Sequence, residues 1–296
     1  MKILLTGGTG QLGRDCKKVL GNRFQVFSLG SKDLDITDEA AVGQMMAHVN
    51  PDIVLNCAAF TKVDDCETKK KLAWKVNVEG PKYLAKISRN YDAKIIHIST
   101  DYVFDGLRMV PDPYVETDET SPLSQYGLTK LEGEKAIRRA TENHVILRTA
   151  WVYGINGKNF LKTMLRIAIK DPGKEIKVVN DQFGSPTWSF RLAKQIEKVI
   201  DGNGQGTYHA TSEGYCTWYK LATHFLEEMK IPHSLLPCTT EEFPTPARRP
   251  LNSILENARI KESGLQLMQA WKEDLDQFVS LFKERLLDEL KEETEK

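Results

Sequence analysis

Charge of one sign is what this chain conspicuously lacks: its 41 Lys and Arg residues are matched by 41 Asp and Glu. A balanced chain has no broad field to draw it onto nucleic acid or an anionic membrane, so the expected partner is a small molecule. Long apolar runs are also missing. No stretch approaches the ~20 apolar residues that cross a bilayer. The segment Ile3-Leu4-Leu5 after Met1-Lys2 is too short for a signal-peptide core. These absences predict a soluble, unprocessed, cytoplasmic protein with no membrane partner. The cysteines, Cys16, Cys57, Cys66, Cys216 and Cys238, are odd in number and form no C-x-x-C pair. That argues against a disulfide framework and against a zinc site. Neither an internal repeat nor a low-complexity tract is present.

What is present is ample apolar material, 41% of 296 residues, in a repeating order. Short apolar runs at 3–6, 25–29, 53–57, 95–99 and 145–148 read as strands buried on both faces of a parallel sheet. Amphipathic stretches at 11–20, 39–48, roughly 72–90 and 125–140 lie between them and read as helices. This alternation predicts an α/β fold, a doubly wound parallel sheet of Rossmann type. Beyond Arg148 it continues with a helix over 160–170, a strand near 177–179 and a helix over 189–200. From Tyr208 the chain turns richer in loops and aromatics, carries Pro244-Thr-Pro-Ala-Arg-Arg-Pro250, and ends in a charged helix around 275–290 and a solvated tail over 292–296. The expected division is a nucleotide-binding domain over 1–207 and a smaller C-terminal substrate-binding lobe over 208–296, with part of 150–175 adding to the cleft.

Gly7-Gly8-Thr9-Gly10-Gln11-Leu12-Gly13 falls between the first strand and the first helix. Glycines there permit a tight turn, close approach of a pyrophosphate and tight helix–strand packing, while the helix N-terminus faces the negative charge. An acid at the end of the second strand would bind the 2′-hydroxyl of NAD. Instead the chain reads Leu29-Gly30-Ser31-Lys32 before Asp33 and Asp35. Ser31 and Lys32 suit a 2′-phosphate, which favours NADPH over NADH and leaves NADH possible. Asp35, beside Ile36, reads as a contact at the adenine edge, as a solvated residue or as the cap of the helix after Thr37. Asn56-Cys57-Ala58-Ala59 ends the third strand with small residues where a cofactor would need space; tight core packing explains Cys57 equally well.

Tyr126 and Lys130 stand four apart, so on a helix both project from one face. A neighbouring ammonium is expected to bring the phenol closer to the range useful for acid–base work, letting Tyr126 protonate a ketone oxygen as hydride arrives at carbon. Such spacing also occurs by chance on surface helices. The pair gains weight from Ser99-Thr100-Asp101-Tyr102-Val103-Phe104, at the carboxyl end of the fourth strand where α/β sheets bind ligands. Thr100 is placed to donate to the same oxygen.

With Asn56 to Thr61, Arg148-Thr-Ala-Trp-Val-Tyr153, Asn180-Asp-Gln-Phe-Gly-Ser-Pro186 and the Pro244–Pro250 segment, these stretches resemble the extended short-chain dehydrogenases, and most closely their dTDP-4-dehydrorhamnose reductase family. The resemblance runs along nearly the whole chain. It implies catalysis by Thr100, Tyr126 and Lys130 and a cofactor held by Gly10, Gln11, Leu12, Asp35, Ile36, Ala59, Phe60 and Thr61. Asp101 and Trp151 would hold the sugar, and Arg249 its diphosphate, with Arg248 an equal candidate by chemistry. The implied reaction reduces the C4 keto group of a dTDP-linked deoxysugar, the last step to activated rhamnose for cell-surface polysaccharide. No metal is required, since Tyr126 and Thr100 polarise the carbonyl. Some members form a dimer bridged by magnesium on glutamates, but Thr187-Trp-Ser-Phe-Arg-Leu192 carries no acid, and a monomer or weak homodimer is expected. Two other readings share these features. A sugar-nucleotide dehydratase or epimerase has the same glycine loop and Tyr/Lys pair, although dehydratases place a glutamate where this chain has Tyr102. The regulatory subunit of methionine adenosyltransferase also resembles this branch and is an adaptor. Trp218 and Tyr219 either line a base pocket or fill a core.

Overall fold

The structure is a computed structural model and describes residues 1–294; residues 295 and 296 of the expected tail lie outside the described residues. Strands β1 (Lys2–Thr6), β2 (Gln25–Leu29), β3 (Ile53–Asn56), β4 (Lys94–Thr100) and β5 (His144–Thr149) form one sheet with the short strand Gly206–His209. The order across it is Gly206–His209, β5, β4, β3, β1, β2, and every pairing is parallel. The chain leaves β1 for β2 on one side and returns to β3 on the other. The crevice beyond the carboxyl ends of β1 and β3 is thus the topological switch point, where such sheets bind ligands.

Helices cover both faces, because successive strand residues point to opposite sides. Ile3 and Leu5 pack towards α1 (Gln11–Leu20) and, through Leu192, Ile196 and Val199, towards a helix over Ser189–Asp201. Leu4, Val54 and Ile95 face α2 (Glu39–Val49) and the helices over Gly80–Asn90 and Gln125–Ala140. The helix expected over 72–90 is divided. α3 (Val63–Thr68) and α4 (Lys70–Trp74) lead into a π-helical turn, Lys75–Glu79, before α5 (Gly80–Asn90). The wide turn seats buried Asn77, whose side chain accepts from Phe60 N–H at 2.8 Å and donates to Phe60 C=O and Thr129 Oγ1, each at 3.1 Å. Such turns recur where a side chain must be held out of helical register. α6 (Gln125–Ala140) matches its expected bounds, capped by the Ser124 hydroxyl on Gly127 N–H.

A third core lies to one side of the sheet, where α7 (Phe160–Lys170), α9 (Trp218–Met229) and α11 (Trp271–Thr294) pack around Phe225, Phe278 and Trp188. Between them in sequence are α8 (Ser189–Asp201) and α10 (Ala258–Glu262). This lobe draws on residues before and after the main-sheet strand Gly206–His209, and the expected boundary at 207/208 falls inside that strand. The strand expected near 177–179 spans Glu175–Val179 and pairs with Ser234–Cys238, outside the main sheet. α11 is longer than the expected 275–290: buried Asp274 ties its first turn to Arg191 and Ser212 at 2.8 and 2.9 Å, and its last turn takes in 292–294 of the expected tail.

Candidate active site

The glycine loop closes the end of β1 against β3. Gly7 has φ +69°, and a Cβ there would meet Ala58 N at 2.5 Å, so only glycine fits. At Gly13 a Cβ would run into the carbonyl of Gly7. α1 starts at Gln11 with Gly10 as its cap, no side-chain capping bond and no acid in its first turn. The orphan N–H groups and positive end of that helix therefore stay available to an anion. Asp33 turns its carboxylate back on Gly30 N–H at 2.8 Å, and Ser31 and Lys32 are exposed beyond the end of β2. No carboxylate is thus presented to a ribose by this turn, and a loop cradle of this kind fits a dinucleotide with a 2′-phosphate.

One cavity of about 620 Å³ gathers the rest. Gly10, Gln11, Leu12 and Gly13 line one side, with Ala59 and Thr61 from the loop after β3. Thr100, Asp101, Tyr126 and Lys130 form its floor, and Trp151, Trp218 and Arg249 face them from the lobe. The predicted catalytic, sugar-binding and diphosphate-binding residues thus meet in one place. Seven predicted cofactor residues do not line it: Gly7, Ser31, Lys32, Asp35, Ile36, Ala58 and Phe60. Of these, Ser31, Lys32, Asp35 and Ile36 lie away from it. The first two lie outside on the exposed turn. Asp35 is exposed with its carboxylate accepting from Thr37 N–H and hydroxyl at 2.9 and 2.8 Å; the cap of α2 is Asp38 instead. Ile36 is buried against Gly80 in the helix–sheet core. Gly7, Ala58 and Phe60 form the backbone behind the lining.

Tyr126 and Lys130 are one turn apart on α6. The Lys130 side chain is 2% exposed and its Nζ donates to the Ile98 carbonyl at 2.6 Å. Burial lowers the lysine to about 8. The expected lowering of the phenol by Lys130 is not what this geometry yields. Burial pushes the Tyr126 phenol up, opposed by the Thr100 hydroxyl, because the ammonium is turned towards Ile98. Tyr126 is therefore firmly protonated, the state a proton donor needs. Its ring packs edge-on against Tyr102 at 5.5 Å. Thr100 donates to Asp101 Oδ1 at 2.9 Å, and Asp101 Oδ2 is buried without a partner. Burial raises Asp101 to about 6 against the hydroxyls of Ser253 and Thr100. A buried carboxylate oxygen left open beside a cavity is an acceptor awaiting a hydroxyl.

Behind this floor, Arg148 bonds Glu134 through Nε at 3.0 Å and Nη2 at 2.9 Å, and Arg138 adds a third contact at 2.7 Å. Burial pushes the Glu134 carboxyl up, but the charges of Arg148 and Arg138 outweigh it and hold it below the usual range. This pair ties α6 to β5, so it fixes where Tyr126 and Lys130 point; sequence reasoning did not find Glu134. On the lobe side, Trp151 has φ +47° and stacks on Trp218, ring centroids 3.6 Å apart and 9° from parallel. Arg249 pairs with Asp64 of α3 at 3.0 Å, and Asp64 also accepts from Ala247 N–H at 3.1 Å. Arg248 is exposed and does not line the cavity, which leaves Arg249 as the diphosphate candidate.

Comparison with known proteins identifies the family. The family model for the RmlD substrate binding domain matches residues 1–284. A dTDP-4-dehydrorhamnose reductase from Clostridium acetobutylicum superimposes with a TM-score of 0.92 at 44% identity, covering 96% of this chain and 100% of its own. The dTDP-4-dehydrorhamnose reductase of Bacillus anthracis, solved in complex with NADP, gives 0.90 at 37% identity over 94% of this chain and 98% of its own. Spore coat polysaccharide biosynthesis protein SpsK of Bacillus subtilis is 39% identical over 279 residues, 94% of this chain and 96% of that protein. By matched length, identity and fold, the chain belongs to the RmlD family, that of the dTDP-4-dehydrorhamnose reductases.

Proposed function

We propose that this enzyme reduces the C4 keto group of dTDP-4-dehydro-L-rhamnose to dTDP-L-rhamnose in the cytoplasm, with NADPH as the preferred donor and NADH as a second, and so completes activated rhamnose for a cell-surface polysaccharide. The observation that carries this reading is the single cavity that brings Thr100, Tyr126 and Lys130 together with the open N-terminus of α1 and with Trp151 and Arg249.

A bound dihydronicotinamide supplies the hydride. Tyr126, held protonated by burial, gives its phenolic proton to the oxygen at C4 as that oxygen gains charge. The Thr100 hydroxyl holds the same oxygen. Lys130, with one ammonium proton on the Ile98 carbonyl, offers its others to the cofactor ribose. Asp101 accepts a sugar hydroxyl through its open oxygen, Trp151 lays its ring along the sugar, and Arg249 leaves Asp64 to take the diphosphate with its guanidinium fork. Gly7, Gly10, Gln11, Leu12 and Gly13 hold the cofactor diphosphate, Ala58, Ala59, Phe60 and Thr61 enclose its nicotinamide half, and Ser31, Lys32 and Asp35 meet its adenosine end, with buried Ile36 supporting their turn from the core. The division of labour follows the two lobes: the sheet side, broadly 1–207, binds the cofactor, and the helical lobe built around 208–296 binds the nucleotide sugar. Dehydration would need a carboxylate beside Asp101 as a further acid or base. Tyr102 occupies that position with its ring against Tyr126.

Among the described residues no helix is long and apolar enough to cross a membrane. The protein works on a small diffusible nucleotide sugar, as a monomer or weak homodimer. The test is the fall of reduced-nicotinamide absorbance when the purified chain meets NADPH and enzymatically generated dTDP-4-dehydro-L-rhamnose. Oxidation with formation of dTDP-L-rhamnose is expected. Binding of NADPH without oxidation would overturn the assignment.

A further inference from the structure

Lys130 has a second buried neighbour that the reaction scheme above leaves unused. His97, in β4, lies with its Nε2 3.2 Å from Lys130 Nζ, and its other ring nitrogen, Nδ1, lies 2.9 Å from Asn56 Nδ2. His97 and Asn56 are both 0% exposed.

The orientation of the Asn56 amide is set by a group with no choice. Its Oδ1 accepts from the backbone N–H of Ala58 at 3.0 Å and from the Thr6 hydroxyl at 2.7 Å. A backbone N–H only donates, so turning the amide over would set two donors against each other. The Asn56 Nδ2 must therefore donate to His97, which makes Nδ1 the acceptor. Burial and the charge of Lys130 push the imidazole well below its ordinary range, so it is neutral. A neutral ring with a bare Nδ1 carries its proton on Nε2, the nitrogen that faces Lys130.

We propose that His97 is a positioning residue for the reductive step: pinned by Asn56 in the Nε2–H tautomer, it meets Lys130 donor to donor, denies the ammonium an acceptor on the ring and so directs it to the Ile98 carbonyl and the cleft. One ammonium proton goes to the Ile98 carbonyl, and the other two are left for the cleft, where the cofactor ribose would lie. When Lys130 loses its proton, the amine gains a lone pair and accepts the Nε2–H instead. The contact thus favours the amine, in the same sense as burial, which brings the lysine to about 8. The other groups around Lys130 are Cys57 at the end of β3, Thr100 and Asp101 at the end of β4, and Tyr126 and Glu134 on α6. Of these, Glu134 and Cys57 oppose the effect of burial.

The consequence for turnover rests on the reductase reading; the tautomer does not. Nitrogen-15 NMR of the cofactor-free full chain is expected to show His97 neutral with the proton on Nε2 throughout the neutral pH range. A proton on Nδ1 would overturn the proposal. Three variants then read the effect on Lys130, by side-chain NMR titration of its Nζ and by the alkaline limb of kcat/KM. His97→Leu removes the opposing N–H and is expected to raise the lysine titration by about one pH unit. Asn56→Asp replaces the donor at Nδ1 by a carboxylate acceptor, so the single ring proton moves from Nε2 to Nδ1 and bonds that carboxylate, which leaves Lys130 a bare Nε2 and raises the titration likewise. His97→Gln, whose amide still presents an N–H, is expected to stay at the wild-type position. An unmoved titration in both His97→Leu and Asn56→Asp would overturn the proposal, as would a rise in His97→Gln equal to theirs. The Nζ titration needs no turnover, so a failed reductase assay leaves this test standing.

Discussion

The two walls of the cleft are built on different terms. On the sheet side, Tyr126 and Lys130 ride on a helix anchored by the buried Glu134–Arg148 pair, by Asn77 on Thr129 and by the Lys130 bond to Ile98. On the lobe side, Trp151 is held by its stack on Trp218 and Arg249 by a half-exposed pair with Asp64. These sheet-side contacts are all made within the protein, so the proposed substrate has none of them to displace. The lobe-side contacts occupy the ring face and the guanidinium that the proposed sugar and diphosphate roles of Trp151 and Arg249 call on, so on that proposal substrate replaces them. Chemistry is preorganised and recognition is adaptable, the order that serves a proton transfer demanding sub-ångström placement.

This contrast is open to attack from both walls. The largest effect is expected at Glu134→Ala, which leaves Arg148 buried and unpaired and should lower stability by about 3–5 kcal/mol, read as a shift in the urea midpoint at constant slope. The Glu134 carboxyl is depressed in the folded chain, so its contribution is present above the unfolded pKa and lost as pH falls through the folded one. The gap between wild type and Glu134→Ala should therefore narrow in acid. Tyr126→Phe keeps the ring and removes the proton, and should cut kcat by on the order of 10²-fold or more with NADPH affinity nearly intact. On the lobe side, Arg249→Ala should raise the KM for the nucleotide sugar about tenfold with a smaller effect on kcat, as expected of uniform binding. An equal fall in kcat would place Arg249 with the preorganised wall and break the comparison. The smallest effect is expected at Lys32→Ala, about a threefold rise in the NADPH KM with that of NADH unchanged, since the side chain is exposed and screened.

Much of this was legible in the chain, for identifiable reasons. Buried parallel strands are continuous apolar runs, so β1 to β5 stand out, and α6 shows both its Ser124 cap and its length. Of the residues that line the cavity, Thr100 was singled out because it ends a strand, Tyr126 and Lys130 because they stand four apart on a helix, and Asp101, Trp151 and Arg249 through the family resemblance. What stayed hidden depends on distant contacts. The break at Asn77 is made by Phe60 and Thr129, 17 and 52 residues away. Gly206–His209 is four residues with no apolar pattern, and it is a strand because β5 offers it an edge. His97 reads as one polar residue inside an apolar strand, and only the Asn56 amide reveals what it faces. The expected effect of Lys130 on the phenol failed because spacing on a helix says that two side chains share a face, not where an ammonium points.

The central claim is that this cleft passes hydride to C4 of a dTDP-linked 4-keto sugar. It is tested most directly by incubating the chain with NADPH deuterated at both hydrogens of its nicotinamide C4 and with dTDP-4-dehydro-L-rhamnose, then locating the label in the product by NMR. One deuterium on C4 of the sugar, formed on the order of 10²-fold more slowly with Tyr126→Phe, is the predicted result. A product without deuterium at C4, or no product from protein that binds the cofactor, would contradict it.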